Sequence, residues 1–150
     1  MEATVKQQKG FEFEAFIMDW FCKQKNINLS HYTLLKEQIE KGENRQGIEI
    51  KNDQMFCNTG NLFISVERDY GYAKYESGIY KNQSWLYVIG NEDEFYIFST
   101  KHLKQYYEFN KPALFDGFKS LKNGIDKGFL LSKKQAERIC IEKITKQTKL

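Results

Sequence analysis

A single proline, Pro112, and ten glycines in 150 residues leave no basis for a collagen-like, linker-rich or low-complexity chain. Apolar runs are short: stretches such as Phe95-Tyr96-Ile97-Phe98 fall far below the ~20 residues a membrane-spanning helix needs. The segment from Met1 to Gly10 carries no apolar stretch of the signal-peptide kind, so a membrane protein and a conventionally secreted one are both unexpected. The three cysteines, Cys22, Cys57 and Cys140, are odd in number and widely spaced, no CxxC occurs, and His31 and His102 stand alone. That excludes a zinc-ribbon pattern and a disulfide framework, and reads as free thiols in a reducing cytoplasm. A glycine-rich phosphate loop and a G-x-S-x-G elbow are missing too, which removes nucleotide hydrolysis and serine-esterase chemistry. Charge of one sign is also scarce: 23 Lys and Arg against 20 Asp and Glu give +3 and a pI near 8.6. This balance permits an anionic partner without requiring one.

What is present, 41% hydrophobic and 15% aromatic residues, suffices for one domain with one core over residues 1–150, with 1–9 and 146–150 expected as flexible ends. Phe11 to Cys22 reads as a helix: Phe13, Phe16, Ile17 and Trp20 gather on one side, and Glu12, Asp19 and Lys23 on the other. Glu14 is the misfit, a carboxylate whose stem points between the directions of Phe21 and Met18. A second helix is expected from after Ser30 to about Lys41, stopped by Gly42. The period then changes from 3.6 to two. Ile48 and Ile50 alternate with Glu49 and Lys51, and after a turn at Asn58–Asn61 the residues Leu62, Ile64 and Val66 alternate with Phe63, Ser65 and Glu67. Strands at Ser84–Ile89 and Glu94–Phe98 follow, joined through Gly90–Asp93. Ser99 or Thr100 caps a helix from Lys101 to about Tyr107, Gly128–Leu131 forms a short strand, and Ser132 caps a last helix with Ala136, Ile139, Cys140 and Ile144 as its stripe. The order predicts an α+β fold around a mixed or antiparallel sheet.

Residues two apart on a strand share a face, so Glu49 and Lys51 form one polar pair and Ser65 and Glu67 another. If those strands are neighbours, the pairs converge, with Asp53 just past the first strand and Glu14 approaching from the helix. Carboxylates aimed at one point are what a divalent-cation site needs: Mg²⁺ takes one or two of them plus water and a substrate phosphate. The plainer reading is a solvated sheet face, with Asp53 a turn former and Glu14 a helix-edge carboxylate reaching water. Tyr70, Tyr72, Tyr75 and Tyr80, interleaved with Arg68, Lys74 and Lys81, suit stacking on nucleic-acid bases or a protein interface, and equally a structured loop over a sheet edge.

The stretch Gln46-Gly47-Ile48-Glu49-Ile50-Lys51-Asn52-Asp53, followed by Thr59-Gly60-Asn61-Leu62-Phe63-Ile64-Ser65-Val66-Glu67-Arg68, resembles the core of the PD-(D/E)XK nuclease superfamily, and more narrowly its small phage-associated branch. Ser77-Gly78-Ile79-Tyr80, Ser84-Trp85-Leu86-Tyr87-Val88-Ile89-Gly90 and Lys127-Gly128-Phe129-Leu130-Leu131 are similar to the same group, so the resemblance runs from about Phe11 to Ile144. It implies a restriction-endonuclease-like fold, with a central mixed or antiparallel sheet of four to five strands flanked by helices. The implied activity is hydrolysis of DNA phosphodiesters with Mg²⁺ or Mn²⁺ in the cytoplasm of a bacterial host cell. The catalytic set it implies is Glu14 (or Glu12), Glu49, Lys51 and Glu67, with Glu49, Asp53 and Glu67 as metal ligands. Arg68, Tyr72, Lys74, Tyr75 and Lys81 would touch DNA or a partner.

The chain departs from the family pattern where Ser65 replaces the expected acid and Glu67 the expected lysine. Glu67 could serve as the metal acid with Lys51 reaching across, or Arg68 or Lys74 could supply the positive charge. Three expectations therefore stand together. One is a metal-dependent endonuclease of phage or mobile-element origin. Another is an inactive nuclease-fold protein that binds DNA or a host or phage protein, such as an inhibitor of a defence system. The third is a globular interaction module whose nuclease likeness is coincidental, favoured if 47–51 and 62–67 do not form adjacent strands. No membrane partner is expected, and the oligomeric state is open, a dimer included.

Overall fold

The computed structural model describes residues 5–30, 44, 46–81, 84–120 and 124–146. Four helices, α1 (Val5–Lys25), α2 (Phe56–Thr59), α3 (Thr100–Asn110) and α4 (Lys133–Ile139), accompany eight strands among those residues. The strands are β1 (Ile48–Asn52), β2 (Asn61–Asp69), β3 (Lys74–Glu76), β4 (Leu86–Gly90), β5 (Glu94–Ser99), β6 (Phe115–Ser120), β7 (Gly124–Ser132) and β8 (Glu142–Thr145), and a 3-10 turn spans Gly78–Tyr80.

The α+β class holds, but the strands form two four-stranded sheets rather than one. The first has the order β1-β4-β5-β8, with β1 parallel to β4 and the remaining pairs antiparallel. The second, β3-β2-β7-β6, is antiparallel throughout. Each face of the first sheet has its own core. On one side, Phe13, Ile17, Trp20 and Phe21 of α1 pack on Ile48, Ile50, Leu86, Val88, Phe95, Ile97 and Ile144. On the other, Tyr87, Ile89, Tyr96 and Phe98 meet Leu62, Ile64 and Val66 of β2 and Phe129 and Leu131 of β7, with Phe56, Leu103 and Ala136 closing the edges. β4 is covered on both faces, so all five of its residues are buried, as the unbroken apolar run Leu86-Tyr87-Val88-Ile89 demands.

The helix at Phe11–Cys22 is present and starts earlier, at Val5, inside the stretch expected to be a flexible end. Ser99 and Ser132 cap α3 and α4 through their side-chain oxygens, which accept from His102 N–H and Gln135 N–H. The helix expected between Ser30 and Lys41 lies outside the described residues. Two expectations are corrected. The last helix ends at Ile139, and Ile144 sits on β8, because Cys140 adopts an extended backbone (ψ 157°) and the Ile141 N–H bonds to the Ile97 carbonyl. And β1 does not neighbour β2. One edge of β1 is taken by β4; at its start the other meets Asn44, whose buried side-chain amide donates to the Ile48 carbonyl at 2.6 Å and accepts from the Ile48 N–H at 3.0 Å. After α2 the chain enters the second sheet instead.

Candidate functional site

A cleft of about 950 Å³ opens where the C-terminal end of β1 approaches β2. Asp53 builds this junction. Its Oδ1 accepts from Met55 N–H at 3.1 Å, turning the chain into α2, and its Oδ2 accepts from Phe63 N–H at 2.8 Å on β2. The carboxylate is thus a structural clasp between the sheets, with both oxygens engaged by backbone donors. The floor is apolar, with Phe63, Met55 and Leu130. The Phe63 ring lies over two glycines: a Cβ on Gly117 would fall 2.6 Å from the ring and displace it, while one on Gly128 would meet the Ile64 carbonyl oxygen at 2.4 Å as well as the ring at 2.8 Å. Ser65 stands beside the floor, hydrogen-bonded to Asp126 of β7 and, at 3.1 Å, to the Ser77 hydroxyl. The rim carries Tyr70 and Tyr75, Arg68, Glu76 and Lys81. Tyr70 holds an edge-to-face contact with Tyr75 at 5.6 Å and a tilted one with Tyr72 at 6.0 Å.

The sequence-derived set divides cleanly. Lys51, Asp53, Arg68, Tyr75 and Lys81 all line this cleft; Glu14, Glu49, Glu67, Tyr72 and Lys74 do not. Glu49 points away from the α1 core, as strand alternation requires, but its carboxylate is buried (5% exposed) and ion-paired to Lys51 at 3.0 Å. Glu14 sits half-buried on α1, the helix that packs the Ile48/Ile50 side of the first sheet, opposite the side bearing Glu49.

Glu67 is removed from Ser65 by a β-bulge. Ser65 pairs with Gly128 and Glu67 with Lys127, the next residue of β7, so one extra residue is accommodated on β2. Consecutive residues of β7 face opposite ways, and the bulge therefore turns Glu67 to the face opposite Ser65. There it joins Lys127, which donates to Asp116; that hydrogen bond, with the charges of Asp116, Asp69 and Glu67, holds the Lys127 ammonium above its usual pKa. The shared face expected for Ser65 and Glu67 is corrected accordingly.

Among the described residues no group of three or more His, Cys, Asp or Glu side chains is gathered closely enough to hold a metal ion. The expected ligands Glu49, Asp53 and Glu67 are, respectively, paired with Lys51, bonded to two backbone donors, and turned to another face. The three expected ligands are therefore not gathered at one point among the described residues.

Sequence reasoning missed Asp126, Ser77, Phe63 and Leu130 as cleft residues. Asp126 carried no signal, since it precedes the Gly128–Leu131 strand read from the sequence, whereas Ser77 lay in the Ser77–Tyr80 string similar to the nuclease group and was not assigned a role there. Among the described residues no helix is long and apolar enough to cross a membrane. Comparison with protein-family models, with curated proteins and with solved structures returns no match to this chain.

Proposed function

We propose that this protein is a restriction-endonuclease-like chain that binds DNA in the cleft at the β1–β2 junction and does not cleave it. The observation that carries the proposal is the division of the candidate residues. The contact residues Arg68, Tyr75 and Lys81 share one cleft with Lys51, while Glu14 lies across the first sheet, Glu67 is turned to the other face of β2, and Glu49 is neutralised by Lys51 beside the cleft. Cleavage of a phosphodiester at useful rates needs a metal or a positioned base at the scissile phosphate; binding needs only cations and stacking surfaces. The Gly47–Lys51 and Thr59–Val66 strings carry the nuclease likeness, and Ser65 in place of an acid fits a chain without catalysis; against that ancestry, the two strings lie in different sheets rather than on neighbouring strands.

The test incubates supercoiled plasmid and, separately, single-stranded circular DNA with the protein in Mg²⁺, in Mn²⁺ and in a chelator, and reads both migration and nicking. The expected result is intact DNA in all three conditions, with at least one of the two substrates retarded. Metal-dependent nicking that is lost in Glu49→Ala would restore the endonuclease. Failure to retard either substrate would remove DNA as the partner and turn attention to a host or phage protein.

A further inference from the structure

Resting on the DNA-binding reading, we infer that the cleft takes single-stranded DNA, with unpaired bases against its rings, rather than a duplex. Charge argues first. Duplex affinity is dominated by phosphate neutralisation and needs an extended cationic track. Here Lys51 is paired with Glu49, and Arg68 and Lys81 share the cleft with Asp53, Glu76 and Asp126, so the cleft's cations do not form such a track.

Surface chemistry argues next. Phe63, Met55 and Leu130 line the cleft, with Met55 61% and Leu130 41% exposed, and the lining tyrosine Tyr75 is open at 56% exposed. Bases in a duplex already stack on one another and hide their faces. An unpaired base offers a free face to these rings and an edge of amino and imino donors. Asp126 is suited to that edge: one oxygen accepts from the Ser65 hydroxyl, and the described residues show no partner for the other. Carboxylates that would repel a phosphate accept from exocyclic amino groups. The volume of about 950 Å³ lies in the range of pockets that enclose whole small ligands rather than grooves that track a helix. Arg68, Lys74 and Lys81, on and beside the Tyr70–Tyr75 hairpin, are the cations placed to reach the strand's phosphates.

Fluorescence anisotropy of a labelled thymidine-rich strand of about 15 nucleotides, and of the same strand annealed to its complement, tests this. The strand is expected to bind at least roughly tenfold more tightly than the duplex, with log K falling by about 2 per decade of salt, as three neutralised phosphates of a single strand imply. Tyr75→Ala should weaken strand binding by about 5- to 150-fold, the range of one lost base stack, while Tyr75→Phe, which keeps the ring, restores it. Equal or tighter duplex binding, or an inert Tyr75→Ala, overturns the single-strand inference and leaves DNA binding standing. Binding to neither form overturns both.

Discussion

The turn at Gly78 joins the cleft to β2, and replacing it by alanine tests how closely the two are fitted. Gly78 has φ +57°, and a Cβ added to it would lie 1.9 Å from the Ser65 carbonyl oxygen and 2.4 Å from its carbon. Backbone occupies that space, so no rotamer change relieves the clash. A left-handed residue with a side chain costs about 1–2 kcal/mol, and forcing atoms into a filled site adds about 1–3 kcal/mol. The sum, about 2–5 kcal/mol, lowers the melting temperature of a domain this size by about 5–15 °C. Gly60 provides the internal control: it has φ +71° but nothing within 4 Å of its added Cβ, so Gly60→Ala carries the backbone strain alone. Denaturant unfolding of both variants isolates the steric part, expected at about 1–3 kcal/mol in excess for Gly78→Ala. Because the turn carries Ser77 and leads to Lys81, the same variant should also lose affinity for single-stranded DNA. A Gly78→Ala no more costly than Gly60→Ala refutes the close contact and with it the rigid wall of the cleft.

Other outcomes follow from the packing and the ionisable groups. Tyr80 and Tyr96 have hydroxyl pKa values pushed well above the usual 10.0, first by burial and then by Glu108 and Glu94. A raised folded-state pKa gives stability that is complete below the unfolded value and is lost as pH rises past it, so the denaturation midpoint should fall from about pH 10 upward. Phenolate absorbance should leave Tyr80 and Tyr96 un-ionised until the protein unfolds, and their ionisation near pH 10 in the folded state would contradict this. Phe95→Ala, which empties a fully buried site ringed edge-on by Phe13, Phe16 and Trp20 at 5.3–6.4 Å, should cost about 3–5 kcal/mol in chemical unfolding. Asp53→Ala strands two backbone donors and should cost about 1–3 kcal/mol for each one left buried and unpaired. Millimolar Mg²⁺ should leave the thermal midpoint of the parent unchanged; a rise would mean that a folded-state metal site exists.

The elements with a strong local signal were legible in the sequence. The Phe13/Ile17/Trp20/Phe21 stripe gave α1, alternation gave β1 and the first half of β2, and serine caps gave the starts of α3 and α4. What escaped was decided by tertiary partners. β6 is Phe115-Asp116-Gly117-Phe118-Lys119-Ser120, a segment with no alternation to read, and it exists because β7 is there to pair with it. β8 was hidden because Ile144 happens to continue the 3.6-residue spacing of α4. The site was half legible for the same reason. Arg68, Tyr75, Lys81, Lys51 and Asp53 do meet in one cleft, but the faces of Glu49 and Glu67 depended on which strand lies beside β1 and on a single inserted residue in β2. Neither fact has a local signature.

The short terminal strand β8 has a further consequence for the molecule's solubility. It pairs along Phe95, Tyr96 and Ile97, in an apolar stretch of the chain, and among the described residues it is the strand that covers that side of β5 in the first sheet. A chain truncated or proteolytically nicked before Glu142 would present that stretch as a naked ladder of amide donors and acceptors, an open template for stacking identical copies into fibrils. Four residues contributed by the last tenth of the polypeptide thus separate a dispersed protein from an aggregating one.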